Sequence, residues 1–173
     1  MPLEGEYMGR DVVINDLDTA NQEFYSHCAT GTLHLQNCAS CDLMRYPTTT
    51  ACPWCAKAEY DWKPVSGRGT VHSYTEVHHA IDPVFREHVP YHILLVDLDE
   101  QLGQPTEHEA LRINGNLVDA DGEMAGEDLV NTVGIGTRVR IVFKDMGGGI
   151  ALPLWTVDEE AEQPETVWRY GSS

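Results

Sequence analysis

Hydrophobic and polar positions along the chain predict a mainly β protein. Five segments after residue 62 are rich in β-branched or aromatic residues, which is typical of short strands. An OB-fold barrel has five short, strongly bent strands, so this number predicts an OB-fold here. Residues 119–136 would connect its third and fourth strands. Gly115 interrupts the third segment, where we expect a bulge or a sharp bend. The segments are residues 69–78, 91–98, 110–118, 138–144 and 150–157.

The N-terminal part predicts an extension followed by a helix. Residues 1–15 offer few apolar anchors, so we expect them to be flexible unless a partner orders them. Residues 16–30 predict a short helix, because Thr19 and Gln22 have capping-box spacing and Gly31 is a natural stop.

This predicted helix has a small apolar face, formed by Phe24, Tyr25 and Cys28. Three side chains bury too little area to hold a helix in place alone. The helix must therefore lie on the neighbouring cysteine-rich segment or on another protein. This makes Phe24 and Tyr25 candidate residues for an interface or channel.

Four cysteines have the spacing of a metal site. Cys38 and Cys41 form one CxxC pair, and Cys52 and Cys55 form a second pair after ten intervening residues. Each pair can form a tight knuckle that turns two thiolates toward one point, and two facing knuckles complete a tetrahedron. The spacing predicts one structural zinc ion in a rubredoxin-like ribbon over residues 32–62.

Two other uses of these cysteines are a redox pair and an iron site. A redox CxxC needs only one pair, whereas iron accepts the same four thiolates, so spacing alone does not separate zinc from iron. Cys28 lies outside the pattern, on the predicted helix, and we interpret it as a small buried side chain.

The chain is thus predicted to have four parts. The run from Asp158 to Glu165 is acidic and is interpreted as a solvated tail. The parts are an extension with a helix (1–31), the zinc ribbon (32–62), the OB-fold domain (63–157) and an acidic C-terminal tail (158–173).

The charge of the chain limits its partners. Eleven basic and twenty-eight acidic residues give a formal charge of −17, so the average surface repels phosphate backbones and acidic membranes. The longest apolar stretch, residues 93–96, is far too short to cross a bilayer, and the N-terminus lacks the order of a signal peptide. We therefore expect a soluble cytoplasmic protein.

Several short motifs, each present once, follow one another along residues 21–157. They are Leu33-His34-Leu35-Gln36-Asn37-Cys38, Cys41, Arg45-Tyr46-Pro47, Cys52-Pro53-Trp54-Cys55, residues 65–74, Val89-Pro90-Tyr91, Gly115-Asn116-Leu117-Val118, Gly136-Thr137-Arg138-Val139 and Leu152-Pro153. In these motifs the chain resembles the zinc-ribbon plus OB-fold family catalogued as domain of unknown function 35. Members of that family accompany thiolase-like enzymes that act on acyl-CoA thioesters.

The resemblance implies a non-catalytic subunit, so we assign no catalytic residue to this chain. The thiolase-like partner would supply the nucleophile or general base, while this chain shapes the CoA channel or stabilises the complex. The reactions implied are retro-aldol removal of a side chain such as that of a steroid, thiolysis, and acyl transfer. A heterotetramer or another two-fold heteromer is expected. Residues 100–109 and the tail around Trp168 depart from the family pattern, either to serve a particular partner or as freely variable surface segments.

Two scarce cations follow the ribbon. Lys63 and Arg68 are candidates for contacts with the phosphates of CoA. In a chain this acidic, a surface ion pair is the alternative explanation for them.

A dense set of histidines follows, on the first two barrel strands and the loop between them. His78 and His79 are candidate interface or channel residues, and the set could supply a general base or a second metal site. No carboxylate partner stands at motif spacing, so the competing interpretation is a group of polar residues near an interface. The other members are His72, His88 and His92.

Two other classes of function remain open from the sequence. OB-folds often bind single-stranded nucleic acid on an aromatic face, and Tyr74, Tyr91 and Trp155 could offer stacking. The net charge argues against this alternative. A free-standing electron carrier would instead hold iron in the four-sulfur site and would be coloured.

Overall fold

The computed structural model describes residues 1–171, in which ten strands and two α-helices are formed. Two short 3₁₀ helices cover Pro83–His88 and Asp99–Gln101. The α-helices are α1 (Thr19–Ala29) and α2 (Glu127–Thr132). The strands are β1 (Leu3–Tyr7), β2 (Arg10–Ile14), β3 (His34–Cys38), β4 (Met44–Arg45), β5 (Tyr60–Pro64), β6 (Arg68–Val77), β7 (Tyr91–Leu98), β8 (Arg112–Asn116), β9 (Arg138–Gly147) and β10 (Ile150–Val157).

Five antiparallel strands form the sheet of the predicted OB-fold, in the order β10-β9-β6-β7-β8. Its two ends meet where Leu117 and Trp155 form a parallel bridge and the Val118 N–H donates to the Trp155 carbonyl at 2.8 Å. This contact curls the sheet into a barrel around a buried apolar core. The mainly β fold and all five predicted strand segments are confirmed, and α2 lies in the predicted connection between β8 and β9.

Gly115 pairs with Leu94 in regular register, so the bulge, one of the two expected features, is not formed there. Its role is close packing. A Cβ atom at this position would lie 3.0 Å from Cδ1 of Trp155, so only glycine lets the indole ring come this close. The bulge of the first barrel strand instead lies between Val71 and Ser73.

The ribbon is a three-stranded sheet in the order β4-β3-β5. It is fixed to the barrel by Gln101, a buried residue whose amide group accepts from the Met44 N–H at 2.7 Å and donates to the Met44 carbonyl at 3.2 Å. Gln101 lies within residues 100–109, the segment that departs from the family pattern. Part of that insertion therefore serves the chain's own ribbon.

The N-cap of helix α1 lies one residue before the predicted one. Asp18, not Thr19, is the N-cap, and its Oδ1 accepts from the Asn21 N–H at 3.3 Å. Gly31 adopts a φ of 78° and ends the helix as predicted. The helix packs against β10 and β3, so its small apolar face is covered by this chain itself.

Residues 1–15 form a β-hairpin, and the expectation of a flexible extension is wrong. β1 and β2 pair along their full length, and Ile14 packs with Met146 and Ile150 in a small second core. At the turn between β9 and β10, a Cβ atom on Gly148 would lie 1.9 Å from the Glu4 carbonyl oxygen. The hairpin therefore needs glycine at this turn in order to dock.

The C-terminal segment is anchored rather than wholly solvated. Asp158 is buried, and Gln163 donates to the carbonyls of Arg138 and Asp158 at 3.0 and 2.9 Å. Farther along, Trp168 forms an antiparallel bridge with Ile135. Within residues 1–171, no helix is both long enough and apolar enough to cross a membrane.

Candidate metal centre and surrounding polar sites

The four predicted cysteines meet at one end of the ribbon. The Sγ atoms of Cys38, Cys41, Cys52 and Cys55 all lie within 4.8 Å of one another. Cys38 and Cys55 have their sulfurs 3.5 Å apart, and Cys41 and Cys52 have theirs 3.6 Å apart. Zinc–sulfur bonds of about 2.3 Å in a tetrahedron place the sulfurs about 3.8 Å apart. The residues present therefore fit a tetrahedral ion held by four thiolates.

The two knuckles have the same backbone design. Asp42 and Ala56, which each follow a second cysteine, adopt left-handed φ angles of 58° and 59°. Their N–H groups donate to the Cys38 and Cys52 carbonyls at 3.0 and 2.9 Å. Neither left-handed residue is glycine, so the sequence predicts the knuckles through their CxxC pairs and gives no sign of the left-handed positions.

Backbone N–H groups prepare one thiol for a metal. The backbone N–H groups of Cys41 and Ser40 donate to the Cys38 thiolate and thereby lower its pKa to about 6. The Ser40 nitrogen lies 3.4 Å from Cys38 Sγ. Cys28 differs, since burial raises its pKa to about 12. It lies in the apolar core and outside the sulfur cluster, as the interpretation of a small buried side chain requires.

Arg45 is a functional candidate within the ribbon, and the sequence motif that contains it gave it no role of its own. Its side chain is buried inside the ribbon, where Nε donates to Oε1 of Gln36 at 2.9 Å and Nη2 donates to the Ala58 carbonyl at 3.3 Å. The guanidinium carbon lies 4.8 Å from the centroid of the Tyr60 ring. A buried cation in this position requires an explanation.

The cations expected to meet CoA differ in their surroundings. Arg68 pairs with Glu160 and with Asp158 at 3.4 Å, and the bond to Glu160 raises its pKa. The ion pair named as the alternative explanation is therefore present. Lys63 lies exposed on β5. CoA contacts by either residue remain a prediction.

Two of the histidines share one carboxylate. Nε2 of His78 lies 2.9 Å from Oε1 of Glu76, and Nε2 of the fully buried His92 lies 3.0 Å from Oε2 of Glu76. The hydrogen bond with His92 lowers the pKa of Glu76. Sequence spacing missed Glu76 because β6 and β7 bring it opposite His92 only in the folded sheet. His72 likewise lies 3.0 Å from a carboxylate oxygen of Asp97.

The other interface candidates lie in two different environments. Phe24 is 2% exposed and packs edge-on against the half-buried Tyr25 at a centroid distance of 5.1 Å, inside the chain's own core. Phe24 therefore offers no surface to a partner, which corrects its prediction. His78 and His79 are exposed, so an interface at these two residues stays a prediction.

The aromatic platform expected for nucleic acid is not formed by the three residues named for it. Trp155 and Tyr91 are buried, which leaves only Tyr74 partly exposed.

The hairpin also contacts the loops that OB-folds use for ligands. Arg10 pairs with Asp82 at 2.8 Å in the loop between the first two barrel strands, and β1 docks on the turn between the last two. These are the loops through which OB-folds bind oligonucleotides. Both observations weigh against the nucleic-acid alternative.

Comparisons with known proteins agree with this architecture. A family model described as "ChsH2, C-terminal OB-fold domain" matches residues 62–144. A "DUF35 domain-containing scaffold protein" of Methanocaldococcus jannaschii is 32% identical over 108 residues, which cover 62% of this chain and 64% of that protein. A "Probable enoyl-CoA hydratase alpha subunit" of Thermomonospora curvata is 38% identical over 68 residues, which cover 39% of this chain and 21% of that protein. The matches thus span less than two thirds of either curated relative.

A solved structure matches over a larger share of the chain. A chain of the "Ltp2-ChsH2(DUF35) aldolase" superposes with a TM-score of 0.62 and 26% sequence identity. The match covers 83% of this chain and 98% of that one.

Proposed function

Because the chain belongs to the DUF35 OB-fold family, we propose that it is the non-catalytic subunit of a complex that acts on acyl-CoA thioesters. A thiolase-like partner supplies the catalytic groups in this proposal. This chain contributes a ribbon with one structural zinc ion and helps to form the channel for the CoA thioester.

The observation that carries the proposal is the likeness to a chain of the Ltp2-ChsH2(DUF35) aldolase over nearly its whole length. That relative is named as an aldolase, so we favour retro-aldol cleavage of a side chain, such as that of a steroid, over thiolysis and acyl transfer. The name of the second relative, a scaffold protein, supports a role in assembly.

The metal centre supports a structural role for the zinc ion. Four thiolates fill a tetrahedron and leave no position for water or substrate, whereas catalytic zinc sites keep one position open. In the proposed subunit, Cys38, Cys41, Cys52 and Cys55 would hold the ion. The ion would stabilise the ribbon, and chemistry on the thioester would take place on groups of the partner.

Exposed apolar side chains beside the hairpin support a docking surface. Leu17 follows β2, and Ile81 precedes Asp82, the partner of Arg10 on β2, and each is 90% exposed. A contiguous apolar patch marks a surface that a partner covers, whereas single exposed apolar side chains are common, so Leu17 and Ile81 are two separate interface candidates in this proposal. We propose that both side chains lie in the interfaces of the heterotetramer or other two-fold heteromer.

The proposal is tested by purifying the tagged chain from its native host and identifying co-purifying proteins by mass spectrometry, with metal analysis of the same sample. Recovery of a thiolase-like protein with about one zinc per chain is the expected result. The purified complex should then cleave an acyl-CoA aldol adduct, and the isolated chain should not. A zinc-loaded chain recovered alone would contradict the proposal.

A further inference from the structure

Arg45 is a buried cation without a neighbouring carboxylate. Its side chain is 2% exposed. Among residues 1–171, it forms no salt bridge with any Asp or Glu within 4.0 Å. Burying a charge is strongly unfavourable unless an opposite charge and hydrogen bonds compensate it. The ribbon must therefore provide negative charge from another source.

The hydrogen-bond and ring partners of Arg45 are all neutral. Its Nε and Nη2 donate to the Gln36 side chain and the Ala58 carbonyl, and its charge faces the Tyr60 ring. Its Nη1 is buried without a hydrogen-bond partner. These contacts fix the direction of the side chain, but they do not balance its charge.

The register of the ribbon places this cation on the face that carries the sulfurs. Gln36 lies directly opposite Arg45 in the pair β3–β4, and Cys38 lies directly opposite Tyr60 in the pair β3–β5. Side chains two residues apart on a strand point to the same face, so Gln36 and Cys38 share one face of β3. A guanidinium held by both Gln36 and Tyr60 therefore lies on the side of Cys38 Sγ.

A divalent ion with four thiolates carries two net negative charges, partly buried. We propose that Arg45 is the counter-charge of this metal centre and that it favours the loaded site through its charge, not through its hydrogen bonds. The inference rests on the zinc site of the proposed function but not on the partner enzyme. It is tested on the isolated chain, so its failure is distinguishable from failure of the proposed complex.

The test measures the zinc dissociation constant of the full chain by competition with a chromophoric chelator. Arg45→Gln should weaken zinc binding at least about tenfold, because it removes a charge that acts through a poorly screened interior. Arg45→Lys keeps the charge and loses the guanidinium fork, and it should stay within about threefold of the parent chain. Lys57→Gln, which removes an exposed cation just after the second knuckle, is the matched control and should change binding less than about twofold.

A second readout follows the metal–sulfur bond itself. In the cobalt-loaded chain, the thiolate-to-cobalt charge-transfer band should move in Arg45→Gln and keep its position in Arg45→Lys. If Arg45→Lys loses as much affinity as Arg45→Gln, the hydrogen bonds matter and the proposal is wrong. Unchanged affinity in Arg45→Gln would also overturn it. If Arg45→Gln does not fold, Arg45→Lys decides alone: parental affinity supports the proposal, and a tenfold or larger loss contradicts it.

Discussion

His92 is completely buried, yet its Nε2 lies 3.0 Å from Oε2 of Glu76 on the neighbouring strand. The same carboxylate also meets the exposed His78 at 2.9 Å. The carboxylate of Glu76 thus satisfies Nε2 of a buried histidine. Removing the charge of Glu76 should change the stability of the chain by a measurable amount.

Glu76→Gln should lower the free energy of unfolding by about 1 to 2 kcal/mol at pH 7, because a neutral amide accepts a weaker hydrogen bond. The bond with His92 lowers the pKa of Glu76 in the folded chain. The stabilisation of the folded chain by this bond is therefore fully present above the ordinary carboxyl pKa of 4.5, and it is lost as pH falls through the lowered pKa of Glu76.

Urea unfolding from pH 7 to pH 3 measures this effect as the difference between parent and variant. That difference should shrink at the acid end of the range. The exposed Glu107→Gln should show no such trend. A difference that is equal at pH 7 and pH 3 would contradict the assigned role of the Glu76 charge.

Cys52→Ser should abolish zinc binding and lower the thermal stability of the ribbon, because three thiolates leave the tetrahedron incomplete. Cys28→Ser makes the same atomic change at a buried cysteine outside the sulfur cluster. It should lose stability but keep about one zinc per chain. Metal analysis of the dialysed variants measures the outcome, and equal zinc contents in both variants would refute the ligand assignment.

Gly148→Ala should detach the N-terminal hairpin, because the new Cβ atom would lie 1.9 Å from the Glu4 carbonyl oxygen. Gly149→Ala is the matched control, since its φ of 78° is also left-handed but its Cβ position meets no atom within 4 Å. We expect the control to cost about 1 to 2 kcal/mol in backbone strain. Gly148→Ala should cost more and should also speed hydrogen exchange of the β1 amides, which Gly149→Ala should leave protected.

Leu17→Asp and Ile81→Asp should weaken binding of the proposed partner enzyme at least about tenfold, because each places a charge on a surface that the complex would desolvate. Both side chains are 90% exposed, so unfolding of the isolated chain should change little. Leu102→Asp, at a half-exposed position within the insertion, serves as the control. Size-exclusion chromatography with light scattering measures complex formation, and wild-type binding by both variants would move the interface elsewhere.

The cysteine ribbon and the barrel strands were predictable because their signals are local. Two CxxC pairs bring four sulfurs together through tight turns within each pair, and the Sγ atoms do meet within 4.8 Å. The segment at residues 150–157 matches the prediction at both boundaries, because β-branched and aromatic positions between a glycine turn and an acidic run define a strand without reference to its neighbours.

The features that were missed depend on groups distant in sequence. The hairpin of residues 3–14 is short and only weakly apolar, and it is ordered because the turn after β9 and the side chains of Met146 and Ile150 offer it a docking site. The sequence favours an interface for Phe24 because it does not show which part of the chain covers the helix. In the structure, β10 covers it.

The sequence by itself determined the sulfur set and the five barrel strands, since both follow from local patterns of residues along the chain. Only the tertiary structure decided that Glu76 meets His92, that Trp155 packs on Gly115 and that Arg45 lies buried beside Gln36. These contacts depend on strand register and barrel closure. Both are set by the packing of the whole core, because a shift of one residue would turn every side chain of a strand to the opposite face.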